Sequence, residues 1–413
     1  MTDQTDHFDC LIVGAGHAGA ETAISLRQSG YDASVGLVGA EPVPPYERPA
    51  MSKEYLAGKN DFDQLLLRPA DYWATHHIAL RLGRRVTTVD ADAHLVTCDD
   101  GSVISYHTLV WAAGGVPRAL DCPGHDLVGV RSIRTKADCD QLIAVLPRTE
   151  RVVVIGGGYV GLEAAAVLRE LGKQVDVVEA LDRVLARVTG EPVSRFYETE
   201  HRSQGVRLHL GMGVAEILGR DGAVIGVRLT DGTVIDAEQV IVGIGVEPAI
   251  QPLLDAGAES TSNRSGVLVD DVCRTTIPDI YCVGDCSILR NGPGIRIESR
   301  QNAYEQAHAA AKAISGRPEP LRLVPWFWSN QYDVRLQTVG LSAGHDQVVL
   351  RGHPGSRSFS LVYLKNGVVI ALDCINAARD YIQGRKLVEA GTRVPPDLLA
   401  DERQPLKALA ISA

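Results

Sequence analysis

Six glycines carry the strongest chemical signal in this chain. Gly14, Gly16 and Gly19 follow the apolar run 8–13, and Gly156, Gly158 and Gly161 follow the apolar run 151–155, about 140 residues later. In such a triplet the first glycine permits a tight turn, the second lets the backbone approach a pyrophosphate, and the third lets the next helix pack close on the strand. The helix N-terminus then turns its free amides toward the phosphates. One triplet is a weak signal, but two, each between a strand and a helix, imply a chain that holds two dinucleotides.

An acid is expected near the end of the second strand of each unit, where it accepts ribose hydroxyls. Glu179 closes the run 175–179, 18 residues after Gly161. A carboxylate there repels a 2′-phosphate, which favours NADH over NADPH. Glu41, 22 residues after Gly19 and a little beyond its strand, is the matching candidate in the first unit. Arg183 lies just past the second strand and is the nearby cation able to accept a phosphate.

The elements that must position these groups alternate strand and helix, the pattern of an α/β protein with parallel sheets. A helix over about 18–29 stops at Gly30, and a strand over 33–39 follows. The proline-rich stretch 41–56 reads as a stiff loop with Lys53 at the entrance to the next helix. A strand from 103 enters a turn of small residues that includes Ala113 and Gly114, suited to a crossover close to bound cofactor. The second unit runs from a strand at 151 through a helix that Gly172 ends, and Gly243 and Gly245 mark a second crossover back to the first domain. A strand then ends on Gly284 and Asp285, and a helix spans about 298–314. Beyond 321 the character changes to strands at 334–341, 347–351 and 358–374, a helix at 377–390 and an irregular tail. The expected domains are 1–117 with 247–321, then 118–246, then 322–413.

Composition narrows the function classes. The chain has 413 residues, 45% hydrophobic and 22% charged, as in globular proteins of two or three domains. A net charge of −10 disfavours a general nucleic-acid binder. No run of 18 apolar residues occurs, and the polar, acidic start lacks the order of a secretory signal, so a cytoplasmic location is the default expectation. None of the eight cysteines forms C-x-x-C, and residues 41–60 hold none, which argues against a flavin disulfide reductase or a single-cysteine peroxidase. Cys282 and Cys286 are the one close pair, and they read as small buried thiols.

The chain resembles the FAD-dependent NADH:ferredoxin reductases that serve bacterial oxygenases, the putidaredoxin reductase type. The motifs are Val13-Gly-Ala-Gly-His-Ala-Gly19, Pro49-Ala-Met-Ser-Lys53, Ile155-Gly-Gly-Gly-Tyr-Val-Gly-Leu-Glu163, Tyr281-Cys-Val-Gly-Asp285 and Pro325-Trp-Phe-Trp-Ser-Asn-Gln-Tyr332. The resemblance implies two Rossmann-like dinucleotide-binding domains of the glutathione-reductase-like flavoprotein fold and a small α+β C-terminal domain. FAD would be the cofactor and NADH the substrate, with electrons passing to an acidic [2Fe-2S] ferredoxin that supplies a cytochrome P450 or a ring-hydroxylating dioxygenase.

Carried over by position, FAD would meet Gly14, Ala15, Gly16, His17, Ala18, Gly19, Glu41, Lys53, Val86, Ala113, Gly114, Arg134, Gly284, Asp285, Arg300 and Trp328. NAD would meet Gly156, Gly158, Tyr159, Val160, Gly161, Glu163, Glu179, Arg183, Gly243 and Gly245. Lys53 would lie by the flavin and pair with Glu163, and Trp328 would lie near the ring; these three are the catalytic candidates. No metal is expected. Arg290, Arg296, Arg300 and Arg335 are the candidates for steering the ferredoxin. Two other readings stay open: an NAD(H)-responsive, non-enzymatic flavoprotein of the apoptosis-inducing-factor type, and a rubredoxin reductase.

Overall fold

In the computed structural model, which describes residues 6–409, the run Asp6–Val13 forms a parallel strand between Val35–Gly39 and Val103–Trp111. Ile78–Leu82 extends the sheet beyond Val35–Gly39, and Ile280–Cys282 runs parallel to the end of Val103–Trp111. Leu95–Cys98 and Val86–Asp90 add an antiparallel edge. The central strand is apolar on both faces because both are covered, and Cys10, Leu11 and Ile12 are wholly buried. Helix His17–Gln28 packs against helix Arg300–Ile314 through Ala20, Ala23, Ala303 and Ala310, whose small side chains let the backbones approach. The later helix begins at Arg300 rather than 298 because Ser299 caps it, accepting the Asn302 amide at 3.0 Å. These elements make one compact unit, formed from residues up to 48, 61–116 and 246–323.

The other unit comprises 49–60, 117–245 and the chain from 324 on. Its parallel sheet has the order Arg207–Leu210, Gln174–Glu179, Arg151–Ile155, Gln239–Val242, Val130–Arg131. A three-stranded antiparallel sheet, Val214–Arg220, Ala223–Leu229 and Val234–Asp236, follows the first four of these strands in the chain and precedes Gln239–Val242. Five antiparallel strands from Trp326–Gln331 to Val368–Ile375 carry helix Ala378–Ala390. The stretch expected as one strand over 358–374 is two, Ser358–Lys365 and Val368–Ile375. Asn366 and Gly367 have φ of 50° and 77°, so the chain reverses there in a two-residue hairpin.

Within this unit the C-terminal sheet is joined to the dinucleotide fold by buried polar groups. The Tyr363 hydroxyl accepts from the Gly190 amide at 2.8 Å and donates to Asp373 at 2.5 Å. Burial raises the Asp373 carboxyl from 3.8 to about 7. The folded state therefore keeps a proton that the unfolded chain releases near pH 4. A carboxyl raised in this way favours the fold in acid, and that contribution is lost as pH climbs through about 7. Asp373→Asn, neutral at every pH, is expected to remove this part of the slope. Melting temperatures of both proteins between pH 4 and pH 8 check it, and parallel curves would refute it.

Candidate nucleotide and charge-pair sites

The two glycine loops rest on the same local constraint. Gly14 has φ +112°, and a Cβ there would stand 2.2 Å from the Ala112 carbonyl oxygen; Gly156 has φ +110°, and its Cβ would meet the Gly243 oxygen at 2.4 Å. A Cβ on Gly19 or Gly161 would meet the carbonyl oxygen of the loop's own first glycine at 1.8 or 2.1 Å. Any other residue at these four positions forces strand, turn and helix apart. Gly16 and Gly158 differ, since a Cβ on either meets nothing within 4 Å. The space a pyrophosphate needs is open above each helix, and neither His17–Gln28 nor Tyr159–Glu170 has an acid in its first turn to repel it. The residues present therefore fit two dinucleotides.

Around the first loop, Gly114 has φ +69° and its carbonyl accepts from the Ala249 amide at 2.9 Å, while the Gly284 amide donates to Gln306 at 2.6 Å. Glu41 accepts from Tyr46 and Arg48, both at 2.7 Å. Glu47, which sequence reasoning missed, accepts from His17 at 2.9 Å and Arg300 at 2.5 Å. Burial pushes the Glu47 carboxyl up, but His17 and Arg300 hold it below the usual range. Its partners lie 30 and 253 positions away, so no local pattern marks it. Val86 is buried in its strand opposite Cys98, and the Arg134 amide donates to Asp138 at 3.2 Å.

Around the second loop, Glu179 accepts from the Gly157 amide at 2.7 Å and the Leu181 amide at 2.9 Å, which fixes its carboxylate at the strand end. Gly245 has φ +101° and its carbonyl accepts from the Arg118 amide at 3.0 Å. Val160 is exposed, and the Tyr159 ring lies 4.5 Å from that of Phe327.

Two of the candidate arginines are engaged with their own surroundings. Arg183 donates to the Ala186 and Thr189 carbonyls at 3.0 Å each and to Ser194 at 2.6 Å, so its guanidinium braces its own loop. Arg296, expected on a docking face, has a side chain only 11% exposed. It donates to the Asp285 and Val246 carbonyls at 3.1 and 3.2 Å and pairs with Glu298. Arg290 and Arg300 pair with Glu259 and Glu47, and Arg335 is exposed.

Lys53 and Glu163, 110 positions apart, meet at 2.6 Å, and Glu163 is 2% and Lys53 12% exposed. Glu163 lies past the first turn of its helix, so its place owes nothing to the helix dipole. Ser52 donates to the same carboxylate oxygen at 2.8 Å, and Ser329 donates to the other at 2.6 Å. Burial is the largest influence on the carboxyl and raises it, opposed by Lys53 and the two hydroxyls. Lys53 also donates to the Pro49 carbonyl at 3.1 Å, which steadies the ammonium. Ser329 belongs to the edge strand Trp326–Gln331, where alternation sets Phe327, Ser329 and Gln331 on one face and Trp326 and Trp328 on the other. Trp328 lies opposite Gln337, with its ring 5.7 Å from that of Trp326. Ser52, Ser329 and Gln331 went unassigned, though each stands inside or beside a motif already singled out. Among the described residues no cluster could hold a metal ion.

Comparison with known proteins matches residues 8–313 to the family described as pyridine nucleotide-disulphide oxidoreductase, and residues 326–410 to the reductase C-terminal family. The chain is 53% identical to the 5,5'-dehydrodivanillate O-demethylase ferredoxin reductase subunit of Sphingobium sp., with 98% of each chain covered. It is 53% identical to a ferredoxin--NAD(P)(+) reductase of Sphingomonas sp, again with 98% of each covered. A solved covalent putidaredoxin reductase–putidaredoxin complex superposes with a TM-score of 0.94 at 37% identity, covering 99% of both chains.

Proposed function

Because the chain belongs to the oxygenase-coupled ferredoxin reductases of the pyridine nucleotide-disulphide oxidoreductase family, we propose that it carries electrons from NADH through FAD to a [2Fe-2S] ferredoxin that feeds an oxygenase. Bound FAD supplies the chemistry that couples a two-electron hydride donor to a one-electron acceptor. The protein's own residues bind and orient. The loop from Gly14 to Gly19 holds the FAD pyrophosphate on the amides of helix His17–Gln28, with Glu41 and Asp285 as the polar contacts of that site. The loop from Gly156 to Gly161 takes NADH, and Glu179 receives the adenosine ribose hydroxyls. Lys53 is assigned to the flavin ring as a fixed positive charge, with Glu163 as its buried counter-ion, and Trp328 to the ring's edge. Steering of an acidic ferredoxin falls to Arg290, Arg300 and Arg335 on this reading, since all three are exposed. All eight cysteines are free, which supports a reducing, cytoplasmic compartment.

The pair of open glycine cradles, one in each unit, carries this reading, and it gives a sharp test. A methyl group at Gly16 or Gly158 touches no protein atom, so any loss it causes reports on the ligand. Gly16→Ala is expected to fold normally and to bind FAD about tenfold or more weakly, a cost of about 1.4 kcal/mol or more. Gly158→Ala is expected to keep its flavin and raise the KM for NADH by a similar factor. Flavin titration and steady-state reduction of a ferredoxin measure both. Unchanged FAD affinity in the first variant, or unchanged KM in the second, would refute the assignment of that loop.

A further inference from the structure

Glu163 stands at the end of a chain of buried hydrogen bonds that neither nucleotide cradle uses. Tyr332 Oη lies 3.1 Å from His201 Nδ1, and His201 Nε2 lies 2.8 Å from Gln331 Oε1. Gln331 Nε2 donates to Ser329 Oγ at 3.2 Å, and Ser329 Oγ donates to Glu163 Oε1 at 2.6 Å. His201, Gln331 and Ser329 are fully buried. Each bond dictates the direction of the next. Because Gln331 Oε1 is an acceptor, His201 must carry its proton on Nε2, which leaves Nδ1 to accept from the Tyr332 hydroxyl. With the Gln331 carbonyl turned to His201, its amide nitrogen faces Ser329. Ser329, already accepting that N–H, has its own hydrogen free for Glu163. All four donors therefore point the same way, toward the carboxylate.

We propose that Tyr332, His201, Gln331 and Ser329 form a one-way hydrogen-bond chain that keeps Glu163 ionised and so keeps Lys53 fixed and charged, with Ser329 as the positioning residue of the pair. The role for Lys53 rests on the function proposed above; the effect on Glu163 does not. A Glu163 protonated on Oε1 would turn the Ser329 hydrogen away from its acceptor, because Ser329 Oγ would then accept from both Gln331 and Glu163 and its own O–H would be left unpaired in the interior. Protonation therefore costs the chain its last hydrogen bond. The chain thus opposes the burial that raises the Glu163 carboxyl, while burial, drawing His201 down to about 4, keeps that ring neutral and its tautomer single. The other titratable groups facing this carboxyl are Lys53, on the segment before it, Tyr159 on its own helix and Tyr197 on helix Glu191–Ser203; Asp373 bears on both tyrosines. Neither tyrosine titrates below pH 10, and Asp373→Asn as background isolates the remaining carboxyl.

Infrared titration of the purified holoprotein reads Glu163 directly, through the carbonyl stretch of its protonated form, identified by its absence in Glu163→Gln. A hydrogen bond to a charged group is worth about 1.5–3 kcal/mol, so Ser329→Ala is expected to raise the midpoint of that band by about one to two pH units. Ser329→Thr, which restores the hydroxyl, is expected to return it to the wild-type value. An unchanged midpoint in a folded Ser329→Ala protein overturns the proposal. Should that variant not fold, Tyr332→Phe removes only the outermost hydroxyl and is expected to raise the midpoint by a smaller amount; no rise overturns the proposal equally. Stopped-flow reduction of the flavin by NADH separates the two levels. A shifted band in a protein whose flavin NADH does not reduce sinks the functional reading alone, and a reducible flavin with an unshifted band sinks the chain alone.

Discussion

Lys53→Met is expected to destabilise the unit that contains it by about 3–5 kcal/mol, the usual cost of removing one partner of a buried ion pair. Methionine keeps most of the stem, so packing is nearly conserved and the loss comes from stranding Glu163. That carboxylate is 2% exposed and, among the described residues, pairs with no other cation. Its only relief is to take up a proton, and burial already moves it in that direction. A carboxyl raised in the fold binds a proton that the unfolded chain gives up, so stability falls as pH rises above the unfolded value. The deficit of Lys53→Met is therefore expected to widen from pH 5 to pH 8. The double variant Lys53→Met, Glu163→Gln removes the stranded charge and is expected to recover most of the loss. Denaturant unfolding of the flavin-loaded proteins at both pH values measures this. If the double variant were as unstable as the single one, the damage would lie in packing and not in charge. The same single variant is expected to reduce its flavin with NADH more slowly at any pH where it folds.

Arg351→Met is expected to cost about the same 3–5 kcal/mol, through a buried ion pair of the C-terminal sheet. The Arg351 side chain is 5% exposed and pairs with Asp380 at 2.9 Å. Its remaining donors go to four backbone carbonyls of the terminal segment: Leu399 at 3.1 Å, Asp401 at 2.7 Å, Glu402 at 3.3 Å and Gln404 at 2.9 Å. A planar guanidinium with five donors in a fixed fork is the one side chain able to serve them all. Methionine leaves those carbonyls and Asp380 without their cation, so the segment 399–409 should come away from strand Gln347–His353 and be cut first by protease. Flavin content and NADH affinity are expected to hold, since the segment contains none of the residues assigned to either nucleotide. Proteolysis that starts elsewhere, with unchanged unfolding, would show that Leu399, Leu406 and Leu409 anchor the tail by burial alone.

How far this was readable beforehand varies by residue and has a physical basis. The glycines at 14, 19, 156 and 161 were legible because backbone geometry leaves no alternative: a Cβ at any of them would stand only 1.8 to 2.4 Å from a carbonyl oxygen. The clashes at Gly19 and Gly161 lie within their own loops, so the sequence records them locally, whereas those at Gly14 and Gly156 are with the strand ends at Ala112 and Gly243. The expected Lys53–Glu163 pair also appears in the structure, although it came from resemblance and not from spacing. Glu47 and His201 were invisible for the opposite reason. A carboxylate between a tyrosine and an arginine, or a histidine on an amphipathic helix, looks the same whether it faces solvent or a partner over a hundred positions away. The hydrogen bonds of Arg183 and Arg296 were hidden for the same reason, since position beside a motif does not say which way a long side chain turns.

By itself, then, the amino-acid order determined the α/β class, the two glycine turns between strand and helix, and the carboxylate of Glu179 at a strand end, because each follows from residue pattern and backbone sterics. Only the tertiary structure decided that the C-terminal sheet shares a unit with the second dinucleotide fold, and that its serine, glutamine and tyrosine converge on one buried carboxylate. Hydrogen bonds reach about 3 Å and respect no sequence distance. Which donor finds which acceptor is known only once the chain has closed around them.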